Sequence, residues 1–435
     1  MVTIDKQKVI VISNIEIIAR SQHQVSRKHI SDNALKVLSR LRRAGYDAYL
    51  VGGCVRDLLI GKLPKDFDVS TNAHPEQVKD VFKNCRLIGR RFRLAHIYFG
   101  REVIEVATFR APHHQEGESL QHEDGRILRD NVYGTEEEDA WRRDFTVNAL
   151  YYDIADFSIR DHVGAMADIE SRTLRMIGEP SERYKEDPVR MLRAIRFAAK
   201  LDFTIEPATQ APIKELGSML KDIPSSRLFD ELLKLFHGAS AVKTFQLLRD
   251  YDLLRYLFPL TDDYFKHNRD SDAERLVIAS LTNTDARIAE GKSVTPAFLF
   301  AAMLWGPMLA ELDRMSDKVP QYQAIQIAAD QLLATQLQYT SIPRRFSVMM
   351  REIWQLQSRF ETRWGKRPWR LLAHPRFRAA YDFLVLRANA GEVEPELATW
   401  WTEFQECDEI QQKKMLKKND GPKKRRRKPQ TAASG

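Results

Sequence analysis

The chain has 435 residues, of which 43% are hydrophobic and 29% charged, with a formal net charge of +8. This apolar content suffices for at least one large core, the length suggests two or three domains, and the charged fraction argues against a disordered or membrane-embedded chain. The charge is uneven: Gln411 to Gly435 holds ten Lys or Arg and one acid, Asp420, so this stretch carries +9 and everything before it sums to −1. A near-neutral body with one basic run points to a polyanionic partner.

Residues 1–25 read as a weakly structured or edge-strand extension. Within them, Val9 to Ile18 is interrupted by Asn14 and Glu16; it is too short to span a bilayer, and no small-residue cleavage site follows. From Ser31 a helix is expected, with Ser31 as cap, Leu35, Leu38 and Leu41 on one face, and Gly45 as the stop. Ala48 to Val51 is a short apolar strand, followed by Gly52-Gly53 and a helical run from Val55 to Ile60. Lys65 to Val69 reads as a second strand, and Pro75 opens a helix that turns Val78, Val81 and Phe82 inward. Ala95 to Phe99 and Glu102 to Thr108 form a hairpin, with Gly100-Arg101 suited to a type II′ turn. Residues 111–130 read as an exposed loop. After about residue 155 the pattern is helix after helix without clear strand signals. Cys54, Cys85 and Cys407 lie far apart with no CxxC pair, as expected of reduced thiols in a cytosolic protein.

The chemical clue is Asp66-Phe67-Asp68. On a strand, residues two apart share a face, so both carboxylates project together while Phe67 turns to the core. Adjacent acids repel unless a cation lies between them, and a divalent ion with hard-oxygen preference resolves the repulsion using one or two carboxylates and substrate phosphates. Two such ions can activate an attacking hydroxyl and steady a leaving pyrophosphate. Alone, the pattern also fits a solvated strand face. Its context is more restrictive: Gly52-Gly53 joins a strand to the helix bearing Arg56 and Asp57, where glycines allow backbone N–H groups to approach a triphosphate. Glu105, set among Val103, Ile104 and Val106, is a third carboxylate that needs a partner, unless it simply faces solvent.

Leu50-Val51-Gly52-Gly53-Cys54-Val55-Arg56-Asp57 and Asp66-Phe67-Asp68-Val69, followed in order by Glu105 to Arg110, Arg142 to Ala149 and Glu186 to Arg193, resemble the polymerase β-like nucleotidyltransferases. The branch is the one that holds bacterial poly(A) polymerases and CCA-adding enzymes. The resemblance implies that Asp66 and Asp68 are metal ligands, that Glu105 completes the set and that Asp144 is counted with the catalytic acids beside the ribose. It further implies that Arg143 contacts the triphosphate, with Arg56 and Arg110 supporting phosphate or carboxylates. Taken alone, Arg142-Arg143-Asp144 is also compatible with a salt-bridged helix start.

Asp187 is a plausible N-cap with Pro188 at the first helical position, and Arg190 shares its face. An acceptor beside a donor suits the Watson–Crick edge of adenine, and the resemblance implies that use; a capped helix with a local ion pair is compatible with it. Leu87 to His96, with Arg90, Arg91 and Arg93, resembles the stretch that marks bacterial poly(A) polymerases. The run Lys423, Lys424, Arg425, Arg426, Arg427 and Lys428 resembles their basic extension, whose phosphate contacts would be independent of sequence. Cys54 departs from the small residue more usual in that loop. The Trp364, Trp369, Trp400 and Trp401 side chains could stack bases, but at helical spacing they fit a core better.

The resemblance thus implies an α+β protein: a small mixed-sheet nucleotidyltransferase head at 26–155, an all-helical neck at 156–265 with base recognition, a helical RNA-binding body at 266–410 and a disordered basic tail at 411–435. The implied activity is template-independent addition of AMP from ATP to RNA 3′ ends with release of pyrophosphate, using Mg2+ or Mn2+, in mRNA processing and turnover. A cytoplasmic location without membrane contact is expected, and protein partners are left open. The alternatives are a CCA-adding tRNA nucleotidyltransferase and a non-catalytic RNA-binding adaptor.

Overall fold

The computed structural model describes residues 15–89, 93–111, 132–315 and 319–418. The sequence expectations for Arg90, Arg91 and Lys423 to Lys428 lie outside these residues. The chain divides into two compact units, Met1–Arg190 with Leu201–Leu216, and Met191–Lys200 with Gly217–Gly435.

The first unit is built on a mixed eight-stranded sheet. Its strands are β1 (Glu16–Ile18), β2 (Ala48–Val51), β3 (Asp68–Thr71), β4 (Cys85–Ile88), β5 (Leu94–Phe99), β6 (Glu102–Thr108), β7 (Leu150–Tyr152) and β8 (Ile159–Asp161), in the spatial order β1-β8-β7-β2-β3-β6-β5-β4. Only the β3–β6 pairing is parallel; it sets Asp68 opposite Glu105. The β5–β6 hairpin pairs Phe99 with Glu102, and Gly100 takes φ +64°, as a two-residue turn of the primed class requires.

Helix α1 (Asp32–Arg43) starts at Ser31, whose hydroxyl accepts from the Asn33 and Ala34 amides. Its buried face is Ala34, Val37, Leu38 and Leu41, so Leu35 sits to one side of the core rather than in it. The chain leaves α1 through Gly45 at φ +89°, and α2 (Gly53–Leu59) and α3 (Pro75–Val81) follow as expected from the sequence, with Pro75 in the first turn of α3.

Several expectations need correction. The sheet continues past residue 155 through β8, and a two-stranded parallel sheet pairs Thr173–Leu174 with Thr204–Ile205. These strands have two or three residues each, too few for a period-two pattern to emerge. β4 is a strand that the sequence analysis did not anticipate, whereas β1 agrees with the edge-strand reading of residues 1–25 and pairs with β8. Order also runs beyond 411: a helix spans Glu409–Lys418, because Leu416 is buried and Gln412 is tied in. Gln412 accepts from Trp369 Nε1 at 2.7 Å and donates to the Phe404 carbonyl at 2.8 Å.

The second unit is helical. One of its cores gathers Leu356, Phe360, Leu371, Phe377, Tyr381, Trp401, Phe404 and Leu416, with Trp369 and Trp400 packed against them. Three of the four tryptophans thus belong to packing, while Trp364 remains 41% exposed. No helix among the described residues is long and apolar enough to cross a membrane, and all three cysteines are free thiols.

Candidate active site

Alternation along β3 decides which side chains face outward. Phe67 and Val69 are buried, whereas Asp66 and Asp68 are exposed, as a period of two gives at the start of the strand; further along, Ser70 and Thr71 are both buried. Asp66 lies just before the strand and Asp68 is its first residue. Parallel pairing brings Glu105 beside Asp68, and antiparallel pairing brings His96 beside Glu105, with Nε2 3.5 Å from Oε1. Lost hydration, then the Glu105 and Asp66 charges, push the Asp68 carboxyl up to about 6, with Arg143 opposing. Crowded acids with too little positive charge are a set that gains from a divalent cation.

Among the described residues no three His, Cys, Asp or Glu side chains already converge on a metal position. The donor set is nevertheless suited to Mg2+, which takes one or two carboxylates and completes its shell with water and substrate phosphates instead of a protein cage.

The backbone around the carboxylates is shaped by Gly52. It takes φ +76° and ψ −131°, a region essentially restricted to glycine, and it begins α2. A methyl group there would meet Arg143 Nη1 at 3.3 Å and the Asn148 carbonyl oxygen at 3.5 Å. Gly53 is the first residue of α2. Cys54 is buried, donates to the Val51 carbonyl at 3.3 Å, and its thiol is pushed up to about 12 by burial, so it packs as an inert side chain.

Two polar networks support this corner. In the first, Arg143 donates to Ser70 Oγ (3.3 Å), Asp139 Oδ2 (2.9 Å), the Tyr151 hydroxyl (3.2 Å) and the Asn148 carbonyl (3.4 Å). Asp139, in helix α4 (Glu136–Trp141), is 1% exposed as a side chain and also takes Arg142 at 2.8 Å and the Tyr151 hydroxyl at 2.8 Å. Burial pushes the Asp139 carboxyl up, but Arg143 and Arg142 outweigh it and leave the carboxyl below the usual range. In the second, the buried Arg56 holds Asp57 and the Asn148 amide oxygen, and Asn148 Nδ2 donates to Asp144 Oδ1 at 3.1 Å.

The Asp187 and Arg190 pair sits at the junction of two helices, α5 (Pro180–Glu186) and α6 (Val189–Leu201). Asp187 Oδ1 accepts from the Val189 amide at 3.3 Å, and Arg190 Nη1 donates to Glu186 at 2.7 Å and to the Arg183 carbonyl at 2.7 Å. Arg183 in turn donates to the carbonyls of Arg142 and Arg143 at 2.8 and 2.7 Å. Hydrogen bonds therefore link the Asp187–Arg190 turn to Arg143 and, through it, to β3.

Sequence reasoning missed Asp139, Asn148, Arg183, Ser70 and Tyr151. Asp139 carried a usable signal, since it stands three and four residues before Arg142 and Arg143 on a helical stretch. Arg183 carried none locally. Arg110 lies next to this network, its backbone amide 3.4 Å from Asp139 Oδ1. Arg93 pairs at 2.5 Å with the exposed Glu76 at the start of α3.

Comparison with known proteins agrees in order along the chain. Residues 48–175 match the family described as the poly A polymerase head domain, 202–265 the probable RNA and SrmB-binding site of polymerase A, and 317–432 the polymerase A arginine-rich C-terminus. The chain is 52% identical to Poly(A) polymerase I of Salmonella typhimurium over 430 residues, 96% of this chain and 92% of that protein. To a CCA-adding enzyme of Lactobacillus johnsonii it is 36% identical over 221 residues, 51% of this chain and 54% of that protein. A solved structure titled as a tRNA-processing enzyme complex shares the fold, with a TM-score of 0.58 at 19% identity over 88% of this chain and 98% of its own.

Proposed function

The chain belongs to the bacterial poly(A) polymerase family and is a template-independent RNA nucleotidyltransferase; on that premise we propose how its residues divide the work. The sequence likeness to poly(A) polymerase spans nearly the whole chain, whereas the sequence likeness to CCA-adding enzymes stops at about half, which favours AMP addition over repair of tRNA ends.

Asp66, Asp68 and Glu105 would hold Mg2+ or Mn2+, whose chemistry is to lower the pKa of the attacking hydroxyl and neutralise charge on the leaving group. The single observation that carries this reading is the Asp68–Glu105 register, which places acids side by side with Arg143 as the opposing charge. Gly52 and Gly53 leave the space in which a triphosphate can approach backbone amides. Arg143, fixed from behind by Asp139, presents positive charge next to Asp68. Arg56 orients Asn148, and Asn148 orients Asp144 toward the ribose. Asp187 and Arg190 read the adenine edge, with protein taking the place of a template. The RNA 3′-hydroxyl attacks the α-phosphate of ATP in line, and pyrophosphate leaves.

Arg90, Arg91, Arg93 and the run from Lys423 to Lys428 supply phosphate contacts that ignore sequence. Free cysteines and these substrates fit a cytoplasmic setting. The test is extension of a non-tRNA oligoribonucleotide with Mg2+ and either ATP or CTP, alongside Asp68→Ala. ATP-specific extension lost in the variant supports the proposal; CTP addition confined to tRNA ends, or equal inertness of both proteins, defeats it.

A further inference from the structure

The second unit contains a cleft of about 300 Å³ lined by Ser358, Arg359, Thr362, Arg367, Arg370 and Leu371. Three guanidiniums and two hydroxyls face it, and no carboxylate does. Arg359, Arg367 and Arg370 are exposed and form no ion pair with any described residue. Elsewhere in this unit some exposed arginines are neutralised locally, Arg275 by Asp272, Arg314 by Glu311 and Arg378 by Asp382, while others such as Arg344 and Arg345 have no ion pair among the described residues. The cleft differs in gathering three of the latter kind around one cavity. From Ser358 to Leu372 there are five basic residues and one acid, Glu361, a net +4. Like charges gathered without counter-charge weaken the fold slightly, which is understandable if an anion from outside completes the group.

An aromatic side chain stands beside the cleft. The Arg367 guanidinium lies 5.5 Å from the Trp364 ring centroid, and 41% of Trp364 remains open. Gly365, at φ +65°, makes the turn that separates Trp364 from the helix Arg367–Leu372. The volume lies at the low end of ligand sites, about 300–1,000 Å³, which suits one unit of a flexible strand better than a folded partner. A positive groove with an exposed ring next to it is the combination that tracks single-stranded nucleic acid: guanidiniums take the phosphate and the ring takes the base.

We propose that this cleft holds a phosphodiester of the single-stranded RNA substrate and that Trp364 stacks the adjoining base. The inference rests on the reading that the chain acts on RNA, but its site shares no residue with the carboxylate group.

The test measures equilibrium binding of a fluorescein-labelled A20 oligoribonucleotide by the full chain, without ATP or divalent metal, so its outcome is independent of catalysis. The variants are Arg359→Gln/Arg367→Gln/Arg370→Gln, the same positions changed to Lys, Trp364→Ala, and a control, Arg275→Gln/Arg314→Gln/Arg378→Gln, that removes equal charge elsewhere. For the Gln cleft variant, the slope of log K against log salt should fall by about 0.7 for each single-strand phosphate that the cleft no longer neutralises. Lys should restore most of that slope, since it keeps the charge. Trp364→Ala should weaken A20 binding by about fivefold or more with little change in slope. If the control matches the Gln cleft variant, only net charge matters and the proposal falls. It also falls if A20 binding is unchanged while inorganic phosphate binding or capture by phosphatidylglycerol vesicles is lost, which would assign the cleft to a free anion or a lipid surface. Should Trp364→Ala unfold, Trp364→Phe keeps a stacking face and must bind A20 more tightly than Trp364→Leu.

Discussion

Asp139→Asn tests whether the buried network behind β3 positions Arg143. Asp139 receives both Arg142 and Arg143 as well as the Tyr151 hydroxyl, at 2.8–2.9 Å, with its own side chain 1% exposed. Removing one partner of a buried pair costs about 3–5 kcal/mol. Here the guanidiniums are 28% and 21% exposed, so water recovers part of the loss, and Asn keeps one acceptor oxygen. A loss of about 2–3 kcal/mol at pH 7 is expected, read as the change in unfolding free energy from urea titration. The sign of the pH dependence follows from the carboxyl being held below its usual range. Its contribution is present above the unfolded pKa of about 3.9 and disappears as pH falls through the lower folded value, so wild type and variant should converge under strong acid. Steady-state kinetics should show a raised ATP KM, because Arg143 loses its anchor. A loss under about 0.5 kcal/mol, small for a broken buried pair, together with an unchanged ATP KM would refute the reasoning.

Three further outcomes are expected. Asp68→Asn should abolish extension yet stabilise the metal-free protein. The folded carboxyl is raised to about 6, so the ionised form strains the fold as pH climbs from about 4 to 6, and after discounting for solvent exposure the relief is about 1 kcal/mol at pH 7; melting in EDTA at pH 7 and pH 4 should show the gain only at the higher pH. Gly52→Ala forces a side chain into a backbone region reserved for glycine and against Arg143, at a cost of about 1–3 kcal/mol, with a matching drop in melting temperature and loss of ATP turnover. Removing residues 419–435 deletes the six-residue basic run from Lys423 to Lys428 and should lower the salt slope of RNA binding by up to about 4 while leaving the ATP KM unaltered.

The parts of this fold legible in the sequence were those whose signal is local. The β5–β6 hairpin, the Ser31 cap and the Pro75 helix start each follow from a turn residue or a cap beside a periodic run, and each stands where expected. Asp66 and Asp68 also followed from alternation around Phe67 and Val69. The missed strands β7 and β8 have three residues each; they pair with each other and with distant β2 and β1, and runs this short carry no period-two pattern to report it. Arg183 was invisible too, because its function is to bridge to carbonyls forty and more positions away. Helix Glu409–Lys418 was hidden by composition, since its lysines outnumber the two or three side chains that anchor it.

The proposed mechanism depends on acids of β3 and β6 joining a divalent cation to the incoming ATP. Crystals grown with Mn2+ and a non-hydrolysable ATP analogue, measured for anomalous scattering, address this directly. The predicted result is manganese density ligated by Asp66 and Asp68, with a second peak about 3.5–4 Å away if both ions are loaded. Clear density for the analogue with no manganese peak at these carboxylates would contradict that mechanism.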